Sequence, residues 1–226
     1  MTEATTPLTL PPERVDPATT RFLVIDVQND FCAEGGWFDK PGVDFGSIHE
    51  AVDRLVDFIE VAREAGIPPI FIRAIYDEIY LSPPMLERHA RTGLETAHCQ
   101  TGTWGAEFFR VAPREDELVL TKHRYSAFKD TELDALLRAQ RVENLILAGI
   151  TSNVCVESTA RDAYMIDYHV VFLSDASATY KAEAHEATLA NIRRAFGIVA
   201  STDEVTEAWR SKGLLPGPPP SVEGVG

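Results

Sequence analysis

The chain is predicted to fold as one doubly wound α/β domain, a six-stranded parallel sheet with helices on both faces. Three observations predict it. Short apolar runs alternate with amphipathic stretches of helical length along most of the 226 residues. The runs are almost unbroken by polar residues, as strands covered on both faces are. No linker or shift of composition divides the chain. Residues 20–212 are assigned to the domain, 1–19 to an N-terminal tail and 213–226 to a C-terminal one, both ends being rich in proline.

The elements follow in order. Arg21-Phe-Leu-Val-Ile-Asp-Val27 reads as the first strand, interrupted only by Asp26. From Ser47 to Ala65 the residues Val52, Leu55, Val56, Ile59 and Val61 mark a helix that Gly66 stops. Pro69–Arg73 is the second strand. A connection of about forty residues, Ala74 to Asp116, contains a short helix around Met85–Arg91, and connections of that length in a domain are commonly binding loops or lids. Strands at Glu117–Thr121, Asn144–Ala148, His169–Leu173 and Ile198–Ala200 are separated by helices at Asp130–Gln140, from after Cys155 to about Ile166, and at Ala182–Phe196. A last helix covers Thr202–Arg210.

Composition removes several classes of function. A formal net charge of −14 disfavours nucleic acid and anionic membrane as partners, which leaves a small molecule. No run approaches the roughly 18 apolar residues of a membrane span, and from Met1-Thr-Glu-Ala-Thr-Thr-Pro7, neither basic nor apolar, no secretory signal is expected. Three scattered cysteines, Cys32, Cys99 and Cys155, make no disulfide framework, so a cytoplasmic, reducing setting is expected. No Gly-x-Gly-x-x-Gly or phosphate loop occurs, so no nucleotide cofactor is expected.

Three strand ends carry chemistry: an acid at Asp26, an ammonium at Lys122 and a thiol at Cys155. In open α/β sheets the carboxyl ends of strands border the ligand crevice. Cys155 falls where a strand passes through Gly149 into a helix, and a helix N-terminus favours the thiolate. Alkylation of Cys155 well below the pH of a free cysteine, near 8.5, is therefore expected. Spacing alone leaves open that Asp26 caps a turn and Lys122 is a surface charge.

The segments Asp26-Val-Gln-Asn-Asp-Phe31 with Gly35-Gly36, Lys122-His-Arg-Tyr-Ser-Ala-Phe128 and Gly149-Ile-Thr-Ser-Asn-Val-Cys-Val-Glu-Ser-Thr-Ala-Arg-Asp162 resemble the cysteine hydrolases of the isochorismatase-like superfamily. That group includes nicotinamidases, N-carbamoylsarcosine amidase, ureidoacrylate amidohydrolase and biuret hydrolase. The resemblance runs from about Arg21 to Trp209. It implies a catalytic triad of Asp26, Lys122 and Cys155, a cis peptide between Ile150 and Thr151, and an oxyanion hole made by the backbone N–H groups of Thr151 and Cys155. It also implies a homo-oligomer, dimer or tetramer. Nicotinamidases carry an Asp-x-His metal segment after the second strand; Arg73-Ala-Ile-Tyr-Asp-Glu-Ile-Tyr80 has no histidine, so no metal is expected. His89 and His98, in the long loop, read as solvated. Asp77-Glu78 with Tyr80, and Lys122-His-Arg-Tyr125, are most similar to the ureidoacrylate amidohydrolases. The implied activity is cleavage of a C–N bond in a small linear ureide or carbamoyl amide. Two alternatives stay open: a vinyl-ether hydrolase of isochorismatase type, and a nicotinamidase-like amidase.

Phe31, Trp37, Tyr76 and Tyr125 are candidate substrate-binding residues, with Trp104 a further candidate wall. Asn153 reads as a helix cap, Glu157 and Arg161 as a surface or interface pair, and Cys32 and Cys99 as structural.

Overall fold

Phe22, Leu23, Val24 and Ile25 are all fully buried, because the strand that contains them lies in the middle of the sheet. In the computed structural model, which describes residues 10–40, 43–92 and 98–217, six parallel strands are ordered β3-β2-β1-β4-β5-β6. They span Thr20–Ile25 (β1), Pro69–Ala74 (β2), Val119–Lys122 (β3), Asn144–Ile150 (β4), His169–Ala178 (β5) and Ile198–Ala200 (β6). Side chains alternate across a strand. Phe22 and Val24 therefore enter one core with Val52, Leu55 and Phe58 of the helix Gly46–Glu64, and with Trp209 of the last helix. Leu23 and Ile25 enter the other core, with Leu133, Leu137, Ala160 and Ile192. The predicted fold class is the observed one.

Chain direction decides where a site can form. From β1 the chain winds outward to β2 and β3, then returns to β4 beside β1 and winds the other way. The connections that leave neighbouring β1 and β4 at their carboxyl ends thus run in opposite directions along the sheet, which is the switch point where such sheets open a crevice.

The helices, numbered in chain order, are Asn29–Cys32 (α1), Gly46–Glu64 (α2), Pro83–Thr92 (α3), Leu133–Ala139 (α4), Glu157–Met165 (α5), Ala182–Asn191 (α6) and Thr202–Ser211 (α7). The last opens on a capping box between Ser201 and Glu204, and Asp175 accepts from the Thr202 N–H and hydroxyl at 2.8 and 2.7 Å. Strand β5 runs five residues beyond its predicted end at Leu173. Its register with β4 shifts between Leu147 and Gly149, and pairing resumes at Ser177 and Ala178. The polar Ser174-Asp175 that interrupts the apolar run marks this irregularity, not the end of the strand.

Part of the predicted N-terminal tail is structured. Pro12–Val15 form a 3-10 turn, Val15 is fully buried, and its carbonyl accepts from Trp209 Nε1 at 2.8 Å. Leu215 is likewise buried. The remaining tail residues, 1–9 and 218–226, lie outside the described residues.

The long connection from β2 to β3 is moored by the segment that follows β1. Gln28 is fully buried: its Nε2 donates to the carbonyls of Ala74 and Ala106 at 3.0 and 2.9 Å, and its Oε1 accepts from the Ala74 N–H at 2.7 Å. Asn29 Nδ2 donates to the Trp104 carbonyl at 2.8 Å. The Asp30 carboxylate accepts the N–H groups of Trp37 and Cys99 at 3.0 and 2.6 Å.

Gly149 is required by close approach. A Cβ there would stand 2.0 Å from the Ile25 carbonyl oxygen, and the residue's φ is +133°. Gly149→Ala is expected to cost about 3 kcal/mol, read as a lowered urea midpoint; an unchanged midpoint would show that the β1–β4 contact can give way.

Candidate active site

Asp26 follows β1 with φ +54°, a backbone region uncommon outside glycine. Its N–H donates to the Ile72 carbonyl at 2.9 Å, and its side chain is fully buried. Lys122, the last residue of β3, is equally buried, and its Nζ lies 2.7 Å from Asp26 Oδ2. Strand β2 lies between the two, and its register partner to Lys122 is Ala74, small enough to let the ammonium cross the end of the sheet. A second Lys122 bond goes to the Arg124 carbonyl at 2.9 Å. Neither residue is a surface charge or a turn cap.

Cys155 lies in a π-type turn, Ser152–Val156, between β4 and α5. The predicted helix starts at Glu157, two residues past the thiol. The Ile150–Thr151 peptide is cis, and the Thr151 carbonyl accepts from the N–H groups of Val154 and Val156, both at 3.2 Å. Thr159 donates its hydroxyl to the Cys155 carbonyl at 2.8 Å and accepts the Ala127 N–H at 3.0 Å, tying the turn to the loop that follows Lys122.

Helix α6 holds this turn at both ends. His185 Nε2 faces the Ser174 carbonyl at 3.1 Å, which can only accept, so this nitrogen carries the proton and Nδ1 accepts from the Ser152 hydroxyl at 2.9 Å. Burial lowers the His185 pKa, which favours that neutral form. At the other end, Glu157 accepts from Thr188 Oγ1 at 2.6 Å and Asn191 Nδ2 at 3.3 Å. Glu157 also pairs with Arg161 at 2.6 Å, but it is only 9% exposed, so the expected surface pair is buried on its acidic side.

The electrostatics correct one expectation. Burial, followed by the charge of Asp26, pushes the Cys155 thiol above its ordinary range, against the opposing pull of Lys122. This upward direction is opposite to what a helix N-terminus alone would favour, because loss of solvent and an adjacent carboxylate outweigh a partial dipole charge. The Asp26 carboxyl is raised by burial, with Lys122 and Cys155 acting the other way. Burial works to lower the Lys122 pKa, but the negative charge of Asp26 and Cys155 outweighs it and holds the ammonium above its usual value.

Cys155 opens on a cavity of about 140 Å3. Phe31, Trp37, Tyr76 and Tyr125, the predicted substrate-binding residues, all line it, as does Thr151. Trp104 does not; it is 51% exposed. Asn153 makes no cap and lines the cavity instead. Sequence reasoning missed Phe38, Arg88, His98, Thr179 and Tyr180 in the lining. His89 and His98 are buried, not solvated: His98 stacks on Trp37 with ring centroids 4.4 Å apart and lies 4.8 Å from Tyr76. A wider, shallower depression of about 600 Å3 between α2 and α6 has no cysteine in its lining, so volume does not single out the thiol's cavity. Among the described residues no helix is long and apolar enough to cross a membrane.

Comparison with known proteins agrees with this architecture. The model of the isochorismatase domain matches residues 20–204. Among similar proteins, the ureidoacrylate amidohydrolase RutB of Methylobacterium radiotolerans is 36% identical over 203 residues, covering 84% of this chain and 79% of that one. The RutB of Caulobacter vibrioides is 34% identical over 207 residues, covering 84% and 91%. Among solved structures, a cysteine hydrolase from Pseudomonas syringae pv. phaseolicola superposes with a TM-score of 0.75 at 28% identity, covering 92% of this chain and 99% of that one. The nicotinamidase/pyrazinamidase PncA of Bacillus subtilis gives 0.68 at 28% identity, covering 81% and 100%. With a family model matched over most of its length, and a six-stranded parallel sheet like those of the solved hydrolases, the chain belongs to the isochorismatase family.

Proposed function

We propose that this protein is a cysteine amidohydrolase that cleaves a C–N bond of a small linear ureide or carbamoyl amide. The observation that carries the reading is a single thiol facing a small cavity with a buried Asp26–Lys122 pair behind it. The relatives named ureidoacrylate amidohydrolase support it.

In this reading Asp26 takes the Cys155 proton as the sulfur attacks the amide carbonyl carbon. A carboxyl raised above its usual range is better matched to that work than an ordinary one. The backbone N–H groups of Thr151 and Cys155 receive the developing oxyanion, each donor contributing about 3 kcal/mol in comparable sites. Lys122 stays protonated and balances the negative charge that passes between carboxylate and sulfur. Asp26 then delivers its proton to the leaving nitrogen, and ammonia or an amine departs. The remaining thioester is hydrolysed by a water that the same carboxylate activates. The three cysteines are free thiols, which suits a cytoplasmic setting.

Ammonia release from a panel of ureides, carbamoyl amino acids, nicotinamide and simple amides tests the reading. Cys155→Ala is expected to lose roughly 10^4-fold or more of the rate on whichever substrate is turned over. Cys32→Ser and Cys99→Ser should keep it, because burial raises both thiols and neither lines the cavity. Hydrolysis retained by Cys155→Ala would remove the mechanism.

A further inference from the structure

Of the groups that hold the Cys155 turn, His185 does so from outside the cavity. Its ring belongs to α6, is absent from the cavity lining and borders instead the depression between α2 and α6. It joins two irregular stretches of backbone. Nδ1 accepts from the Ser152 hydroxyl at 2.9 Å, and Nε2 donates to the Ser174 carbonyl at 3.1 Å. Ser152 opens the turn that ends at Val156, comes directly after Thr151 and is fully buried. Ser174 stands in the part of β5 where pairing with β4 lapses, between Phe172 and Ser177, and its own hydroxyl donates to the Ala200 carbonyl at 3.3 Å. No regular ladder fixes the distance between these two stretches, so the side chain that bridges them does.

A neutral imidazole suits that bridge, because it presents one acceptor and one donor on a rigid plane. Removing the ring leaves a fully buried hydroxyl without its acceptor, and a serine in that state turns to a nearby main-chain carbonyl instead. The turn then changes shape at the end that carries the Thr151 N–H. Its other end stays tied, since Glu157 keeps its bonds to Thr188 and Asn191. The displacement is therefore small and local. A shift of about 0.5 Å is enough to matter there, because donors aimed at a developing oxyanion work by being in place before the charge appears.

We propose that His185 is a positioning residue for turnover: through Ser152 it sets where the Thr151 N–H and the Cys155 sulfur stand relative to the substrate carbonyl, without touching the substrate. The proposal rests on the amidohydrolase reading for the reaction, but the setting of the sulfur is measurable without turnover. His185→Phe keeps a planar ring and removes both bonds. Ser152→Ala removes a single oxygen and tests the same link where the larger change unfolds the chain. Each is expected to lower kcat about 10- to 100-fold, with KM changed less than about threefold, because neither residue lines the cavity. The double variant should be no slower than the slower single one. His185→Asn, whose amide oxygen takes the place of Nδ1, should recover most of the rate, and His185→Gln, which reaches toward Ser174, should not. A loosened turn also weakens the two influences that hold the thiol up, burial and the charge of Asp26. The pH profile of Cys155 alkylation by iodoacetamide should therefore move down by about half a unit in His185→Phe and stay in place in His185→Asn. An unchanged kcat in both single variants, additive losses in the double one, a loss confined to KM, or equal rescue by glutamine would overturn the proposal. If no amide of the panel is hydrolysed by the unsubstituted enzyme, the hydrolase reading falls and the alkylation profile decides alone. A shift that His185→Asn reverses then keeps the positioning role, and an unchanged profile removes it.

Discussion

Asp26→Asn is expected to make Cys155 more reactive toward iodoacetamide while abolishing hydrolysis. The two effects part because the carboxylate acts on the thiol in two ways. As a charge it opposes ionisation, second only to burial, and Lys122 acts in the opposite sense. Neutralising it leaves the ammonium beside the sulfur without a competing anion, so the alkylation profile should move to lower pH by at least about one unit. As a base it is, among the described residues, the one carboxylate paired with Lys122 at the thiol, and losing it should lower kcat/KM by about 10^2- to 10^4-fold. The unsubstituted enzyme should alkylate at Cys155 only above the pH of a free cysteine, and the acid limb of its kcat/KM profile should fall above the ordinary carboxyl value of about 3.9. If Asp26→Asn left the alkylation profile in place, the carboxylate would have no hold on the thiol.

Lys122→Met should be the most destabilising of the substitutions considered. It leaves the Asp26 carboxylate buried with no cation, a situation that typically costs about 3 to 5 kcal/mol. The pH dependence has a definite sign. Without the ammonium, the Asp26 pKa in the folded protein rises further above its unfolded value. Such a group stabilises the fold in its protonated form: the contribution is fully present below the unfolded pKa and is lost as pH rises through the folded one. The variant's deficit in urea should accordingly be large at pH 8 and shrink toward pH 5, with hydrolysis lost and the thiol shifted further upward. A deficit below about 1 kcal/mol, or one that does not change with pH, would mean that the buried pair contributes little to folding.

Much of this site is legible in the sequence, for a physical reason. An aspartate and a lysine at the ends of apolar strands are conspicuous because burying either alone is costly, and a cysteine between a glycine and a helix has few neighbours to confuse it with. Periodicity also places every strand. What stayed hidden arrives mostly from irregular backbone. Arg88 alone comes from a regular helix, α3. His98 reaches the cavity from the β2–β3 connection, Phe38 from the loop after α1, and Thr179 and Tyr180 from just beyond β5, where no repeat of 2 or 3.6 residues says which way a side chain points. Trp104 was misplaced for the same reason. His185 leaves no local trace either, since its partner Ser152 is 33 residues away. The upward pull on the thiol is not legible either, because local sequence reports the helix terminus but not the depth at which the sulfur is buried.

The mooring of the long connection says how such an enzyme can diversify. Gln28 and Asn29 hold the opposing wall almost wholly through main-chain groups, at positions 74, 104 and 106, and every amino acid supplies those atoms. Side chains on the connection are thereby released from the task of keeping it in place. Arg88, His98 and their neighbours could be exchanged for others without disturbing the proposed base, Asp26, two residues upstream of Gln28, so one short stretch after the first strand would separate what such an enzyme accepts from how it cuts.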